Sequence, residues 1–385
     1  MFEFNGTASY QLNKQARCIS ALEGDTDRNK FVVCSLELRG DNELHVLDFN
    51  EDTNEVCCQR VFLHPDEVWG CASCPAPEHS DLILTTHASG TQLKTTLWKM
   101  SGLDESFPSA GNSERAADGS TMHSVPPAVP LEALLELPVV APLGQSRELL
   151  WNAVLPEQVA VLHAKQLQLY QLHHGVAAST ASAGLNLSPS VEGEGDCFGA
   201  GRWDPHHAHS LGLAAERALL TVDTRTMKTA HSLPDAHAQR VRGLDYNPNR
   251  PYIALSCGDD FAIKFWDLRK TGPPLLSQRA HSHWVTSALY NRFHDQLVLS
   301  ASSDCFVKLW RASSLSSSPP SAELEDGEVD EAEADALVKA FDEHEQSVFG
   351  VAWSAADAWI FASLSLDGKA VINHVPPAEK YKILL

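Results

Sequence analysis

Along most of the chain, short runs of apolar residues alternate with polar ones and end at turn residues. Val241-Arg-Gly-Leu-Asp-Tyr246, Ile253-Ala-Leu-Ser256 and Ala262-Ile-Lys-Phe-Trp266 are typical. They are short, rich in β-branched and aromatic residues, and bounded by Asn247-Pro248-Asn249 and Gly258-Asp259. This is the patterning of strands joined by tight turns. Leu275-Leu-Ser-Gln278 supplies a fourth strand after the first three.

The strand pattern repeats with fixed spacing. His237, Ser256, Asp260 and Trp266 form one set; His281, Ser300, Asp304 and Trp310 form a second; His344, Ser363 and Asp367 form a third, with Asn373 in the Trp position. In each set the Asp lies 23 residues after the His, and the Ser lies four before the Asp. Four strands in a unit of about 44 residues is the signature of a propeller blade. These units resemble the WD repeat, with Trp266-Asp267 as its namesake dipeptide.

Weaker versions of the unit precede these three. Phe198-Gly-Ala-Gly-Arg-Trp203-Asp-Pro205 parallels Val241 to Pro248, and Val159-Ala-Val-Leu162 with Leu167-Gln-Leu-Tyr170 marks another blade. Val68-Trp69 with Thr95-Thr-Leu-Trp98, and Phe31-Val-Val-Cys-Ser35 with Leu44-His-Val-Leu-Asp48, mark two more. The expected fold is therefore an all-β, seven-bladed WD-repeat β-propeller, a single domain over residues 1–385. The last blade has no fourth strand of its own. Since a propeller leaves no open edge, the N-terminal segment around Ala8 to Leu12 is expected to pair there. Three segments interrupt the period, at about 101–130, 177–196 and 313–335, and are expected as mobile loops. The third carries eight acids between Glu323 and Asp335 and no Lys or Arg. It fits either a docking site for a basic partner or a solvated spacer.

The recurring polar residues fit a buried network. Asp accepts from His, His bonds the Ser hydroxyl, and Ser bonds the Trp indole N–H, so each polar group has a partner. Ser, His and Asp here suggest a triad, but a triad needs an exposed nucleophile and this Ser is hidden in a strand. No phosphate loop, nucleophile elbow or His-Glu-x-x-His pattern occurs. His206-His207-Ala-His209 fits a turn better than a chelate. No catalytic residue, cofactor or metal is expected, and the chain reads as non-enzymatic.

The formal net charge of −21 argues against a nucleic-acid ligand, which needs a basic footprint. No run is apolar enough to span a membrane, and the start of the sequence does not read as a signal peptide. Nine cysteines suit reduced thiols in a cytoplasmic protein. Cys57 and Cys58 followed by Cys71 and Cys74 have a metal-like spacing, set against the commoner use of free Cys as a small buried hydrophobe. A propeller without a catalytic site presents loop side chains to other proteins. Arg240, Asp259, Trp284 and Ser303 flank the recurring sets and are candidate partner-binding residues. Trp284 is either an interface anchor or packed on a neighbouring blade.

Several stretches carry a more specific resemblance. Gly201-Arg-Trp-Asp-Pro-His-His207, Ser282-His-Trp284, Asn291-Arg-Phe-His-Asp-Gln-Leu297, Ala358-Trp-Ile-Phe-Ala-Ser-Leu-Ser-Leu-Asp-Gly368 and the end from Ala370 to Leu385 resemble the family of EARP- and GARP-complex-interacting proteins. The resemblance implies binding to the EARP and GARP tethering complexes. It further implies support of endosomal recycling, of retrograde vesicle trafficking to the trans-Golgi network, and of dense-core vesicle maturation. The implied location is cytoplasmic, peripheral to the trans-Golgi network and the early and recycling endosomes. A monomer without direct membrane insertion is expected. It assigns no partner-binding residue.

Two other readings use other features. Trp266-Asp267-Leu268-Arg269 fits a pattern of cullin–RING ubiquitin ligase substrate receptors, in which Arg269 would contact the adaptor. An enzyme using the central channel would show a cluster of perturbed acids, bases or metal ligands there.

Overall fold

The computed structural model describes residues 7–38, 40–90, 92–103, 114–115, 121–122, 125–137, 146–164, 166–172, 180–185, 198–318 and 335–384. Seven sheets, each with an antiparallel set of four strands, follow one another around a central channel. The chain is a seven-bladed β-propeller. The innermost strands of blades 1 to 7 are Ala16–Ala21, Glu67–Ser73, Ser146–Trp151, Phe198–Trp203, Val241–Tyr246, Val285–Tyr290 and Val348–Trp353. Blades 2 to 6 close with the fourth strands Glu132–Leu137, Thr180–Leu185, Lys228–Leu233, Leu276–Arg279 and Asp335–Phe341.

Blade 7 takes its fourth strand from the other end of the chain. Ala8–Gln11 pairs antiparallel with the third strand Lys369–His374, setting Ala8 opposite Ile372 and Gln11 opposite Lys369. The Leu12 N–H donates to the Gly368 carbonyl at 2.9 Å. The last sheet therefore gains an outer strand without exposing the one before it.

Each apolar cluster is shared by neighbouring blades. Ala8, Phe31 and Phe49 of the N-terminal side pack with Ile360, Leu364 and Ile372 of blade 7. The last residue of an innermost strand is often aromatic and packs on the preceding blade, as Trp203, Tyr290 and Trp353 do. Trp203 also donates its indole N–H to the Leu150 carbonyl at 3.0 Å. Asp245 stitches three blades together. It accepts from Arg202 Nε at 2.9 Å and from the Tyr290 N–H at 2.8 Å.

All seven innermost strands shift register near their start, six of them between their first and third residues and that of blade 2 between Val68 and Gly70. A bulge leaves its extra residue unpaired and re-aims its side chain. The bulged residues include Arg17, Trp69, Arg242 and Phe349, and all four line the mouth of the channel. The face holding this mouth also carries the turns between second and third strands and the loops leading into each blade; it is called the top face below.

The turn after the recurring Asp demands a left-handed residue. Phe261 has φ 65°, Cys305 φ 71° and Gly368 φ 81°. Of these three blades, blade 7 uses glycine, because the N-terminal segment crosses there and a Cβ on Gly368 would collide with the Lys14 carbonyl. A non-glycine residue in this region carries about 1–2 kcal/mol of strain. Replacing Cys305→Gly is expected to stabilise the fold by about 0.5–1 kcal/mol after glycine's chain entropy is deducted, read as a higher melting midpoint.

Most of the interruptions at about 101–130, 177–196 and 313–335 lie outside the described residues. The described pieces correct the loop expectation, a short pairing of Glu114–Arg115 with Thr121–Met122 among them. Thr180–Leu185 is a strand that completes blade 3 against Leu167–Gln171. Ala128–Pro130 returns to the outer edge of blade 1 and pairs parallel with Val61, Phe62 and Leu63. An outermost strand is held by backbone pairing on one side, so its sequence need show no apolar alternation. Helix α1, Pro377–Leu384, packs under blades 6 and 7, where Arg311 and Glu379 form a buried ion pair with N···O 3.0 Å.

Candidate functional site

In blades 5 and 6 the recurring residues make a continuous hydrogen-bonded chain. In blade 6, His281 Nδ1 lies 3.0 Å from Asp304 Oδ2 and His281 Nε2 2.8 Å from Ser300 Oγ; Trp310 Nε1 lies 2.8 Å from the same Oγ. Blade 5 repeats this with His237, Asp260, Ser256 and Trp266 at 2.6–2.8 Å. The donor directions follow from both ends. The indole can only donate and the carboxylate can only accept, so Trp donates to the Ser hydroxyl and His donates from Nδ1 to Asp. Both Ser residues are fully buried, which leaves no exposed nucleophile.

Blade 7 departs from the expected direct contact. His344 Nδ1 meets Ser365 Oγ at 2.8 Å, and that hydroxyl reaches Asp367 at 2.5 Å. His344 Nε2 still meets Ser363 Oγ at 2.7 Å. Ser365 lies between His344 and Asp367, and Asn373 takes the indole position. Burial pushes His344 down to about 4, so it is neutral at pH 7.

Three of the four candidate residues on the top face interlock around the fourth, Trp284. Asp259 is buried, not free for a partner; it holds Arg242 through both guanidinium Nε and Nη2, the latter at 3.1 Å. The Arg242 guanidinium lies 5.0 Å over the Trp284 ring. The Ser303 N–H donates to the Trp284 carbonyl at 3.1 Å, and the Asp259 N–H donates to the Arg240 carbonyl at 2.8 Å. Asp259 and Ser303 thus position the surface, while Trp284, 43 % exposed, presents it. Trp284 packs against its own surroundings on one side and is open on the other.

The channel has a volume of about 680 Å³. Arg202 is paired with Asp245 and Arg292 with Glu23 across its wall. Burial pushes Glu148 up to about 7, and its Oε2 accepts the Gly201 N–H at 2.7 Å. That carboxyl is perturbed by its surroundings and fixed to the backbone of the next blade. No trio of His, Cys, Asp or Glu able to hold a metal occurs among the described residues.

The EIPR1 beta-propeller family model matches residues 5–310, and a WD domain, G-beta repeat, matches residues 336–372. The chain belongs to the EIPR1 beta-propeller family. It is 37 % identical to an EARP-interacting protein homolog of Gekko japonicus and 36 % identical to the EARP and GARP complex-interacting protein 1 of Homo sapiens, covering 98 % of each chain in both cases. It is 31 % identical to the WD repeat-containing protein DWA2 of Arabidopsis thaliana over 96 % of each chain. The acidic insertion falls between the two matched stretches.

In this EIPR1-family propeller Arg269 lies on the opposite, bottom face. Its guanidinium is bidentate to Asp267, at 2.8 Å for both bonds, and lies 5.0 Å over the Tyr252 ring. Arg225 makes the same bidentate pair with Asp223. The Trp-Asp-x-Arg ending is thus a local staple at this site. Cys57 and Cys58 sit on the outer strand of blade 1, whereas Cys71 is on the inner strand of blade 2 and Cys74 just follows it. Burial pushes Cys58 up to about 12 and Cys74 up to about 11, and the four cysteines do not come together as a group able to hold a metal among the described residues.

Sequence spacing missed a further network. In blade 2, Trp98 Nε1 donates to Thr85 Oγ1 at 2.8 Å, Thr85 Oγ1 meets His64 Nε2 at 3.0 Å, and His64 Nδ1 meets the Asp66 carbonyl at 2.7 Å. A backbone carbonyl replaces the carboxylate, and Thr replaces Ser. The hairpin between the second and third strands, Leu82–Ser89 and Gln92–Lys99, is longer here, which stretches the spacing beyond recognition. The Asp66 carboxylate instead binds His87 at 2.9 Å.

Proposed function

We propose that this propeller is a non-enzymatic scaffold that binds the EARP and GARP tethering complexes through its top face. Through them it supports endosomal recycling, retrograde transport to the trans-Golgi network and dense-core vesicle maturation. It acts in the cytoplasm as a monomer, peripheral to those membranes, without nucleic acid and without inserting into the bilayer. The observation that carries the reading is Trp284, an exposed aromatic pinned by Arg242 on one side and by the Ser303 N–H on its backbone. Rigid aromatics of this kind dominate protein interfaces. The names of the relatives supply the partner.

The test is affinity purification of the full chain with mass spectrometry of the co-eluting subunits. Trp284→Ala is expected to lower capture of tethering subunits at least tenfold, a loss of about 1.4 kcal/mol or more. Arg269→Ala is expected to leave capture unchanged. Recovery of a cullin adaptor that Arg269→Ala abolishes would replace this reading with that of a ligase substrate receptor.

A further inference from the structure

The junction of blades 5 and 6 carries an ordered row of rings and guanidinium groups across the top face. The Arg279 guanidinium lies 5.6 Å over the Phe261 ring. Phe261 stacks on His283 with centroids 6.2 Å apart and planes at 24°. His283 meets Trp284 at 4.8 Å, and Arg242 covers Trp284 at 5.0 Å. The row is cationic at both ends and aromatic in the middle, and it runs from the outer strand of blade 5 to the channel mouth.

The sequence builds the row from four separate features. Phe261 is the left-handed residue after Asp260. His283 and Trp284 are the last residues of the loop leading into blade 6. Arg242 is the bulged residue of blade 5's innermost strand, and Arg279 ends the outermost one. The φ of Phe261 is costly for any side chain, and its ring is the second member of the row.

The charge around the row is the second observation. The neighbouring carboxylates face inward: Asp259 to Arg242, Asp260 to His237 and Lys264, Asp304 to His281 and Ser282. By contrast, Arg279 at the rim and Arg17 and Arg240 at the channel mouth pair with no carboxylate among the described residues. Arg17 contacts rings instead, lying 5.6 Å from Trp69 and 5.0 Å from Phe349. In a chain of net charge −21, this face sets these arginines, of which Arg240 donates to the Phe198 carbonyl at 3.4 Å, beside exposed aromatics.

Resting on the proposed scaffold function, we infer that the partner segment taken by this face is an acidic peptide with an aromatic or large aliphatic anchor. The anchor side chain lies against Trp284 and Phe261, and flanking Asp or Glu side chains bond to Arg279 on one side and to Arg240 and Arg17 on the other. Bidentate carboxylate contacts give the arginines orientation as well as attraction. Charge also speeds encounter, so binding weakens as salt rises.

The experiment uses the full chain and two fluorescein-labelled nonapeptide pools, read by anisotropy and by quenching of tryptophan fluorescence. One pool has Phe, Leu or Trp at the centre and Asp or Glu at flanking positions; the other has Asn or Gln in place of the acids. The acidic pool is expected to bind at least tenfold more tightly, and more weakly in high salt. Arg279→Glu and Trp284→Ala are each expected to weaken it at least fivefold, with the melting midpoint of Arg279→Glu unchanged because that side chain is exposed. Equal affinity for the two pools, or binding of the acidic pool that neither substitution alters, overturns the inference. The same variants are scored for capture of tethering subunits. Capture without acidic preference discards the peptide chemistry and leaves the scaffold function. Acidic preference without capture does the reverse.

Discussion

Asp304→Ala is expected to lower the stability of the propeller by about 3 kcal/mol, seen as a melting midpoint several degrees lower. Asp304 anchors more than His281. Its carboxylate also accepts from the Ser282 N–H at 3.0 Å and from the Phe306 N–H at 3.1 Å, so it fixes both the loop leading into blade 6 and the turn after its second strand. Alanine leaves His281 buried with its Nδ1–H unsatisfied and releases both backbone groups. Burial alone would raise this carboxyl, but the bonds from His281 and Ser282 outweigh it and hold the group well below the usual carboxylate range. A depressed carboxylate stabilises the fold above its unfolded-state pKa and loses that effect as pH falls. The gap between the wild type and Asp304→Asn should therefore be full at pH 7 and narrow below about pH 4. An unchanged midpoint for Asp304→Ala at pH 7 would remove the structural role of the network.

Glu379→Ala is expected to cost about 3 kcal/mol or more by breaking a buried pair. The Arg311 and Glu379 side chains are 15 % and 5 % exposed, and both Glu379 oxygens lie 3.0–3.1 Å from Arg311 Nη1. This pair is a polar link between the third strand of blade 6 and helix α1; Val375 and Ile383 supply an apolar link. Removing the acid alone leaves a guanidinium in a low-dielectric site. Removing both charges together, as Arg311→Met with Glu379→Leu, is expected to be close to neutral, because burying a pair costs nearly what its attraction returns. Chemical denaturation of the two variants side by side separates these outcomes, and equal losses would mean that the charges matter less than the packing of the helix.

The two networks differ in how visible they were. In blades 5 and 6 a fixed count of residues separates His, Ser, Asp and Trp, because the strands and turns between them have fixed lengths. Blade 2 carries the same bonding among His64, Thr85 and Trp98, but a longer hairpin and a Thr for the Ser erase the spacing. Blade 7 keeps the spacing and loses the direct contact, because Ser365 intrudes between His344 and Asp367. Spacing registers chain length between positions, and a hydrogen bond registers where the side chains finish.

The sequence by itself determined the repeat, the number of blades and the closing of the last blade by the start of the chain, since each follows from strand periodicity and from the cost of an open edge. It also marked Trp284, Arg240, Asp259 and Ser303 as neighbours of the recurring positions. Only the tertiary structure decided their roles: Asp259 turns inward to hold Arg242, Ser303 ties down the backbone of Trp284, and Arg269 finishes on the other face against Asp267. Arg279, Phe261, His283, Trp284 and Arg242 come together for the same reason. The outer strand of one blade and the innermost strand of the same blade are distant in sequence, and pairing within the sheet and the bulge at the channel mouth bring their ends to a single face.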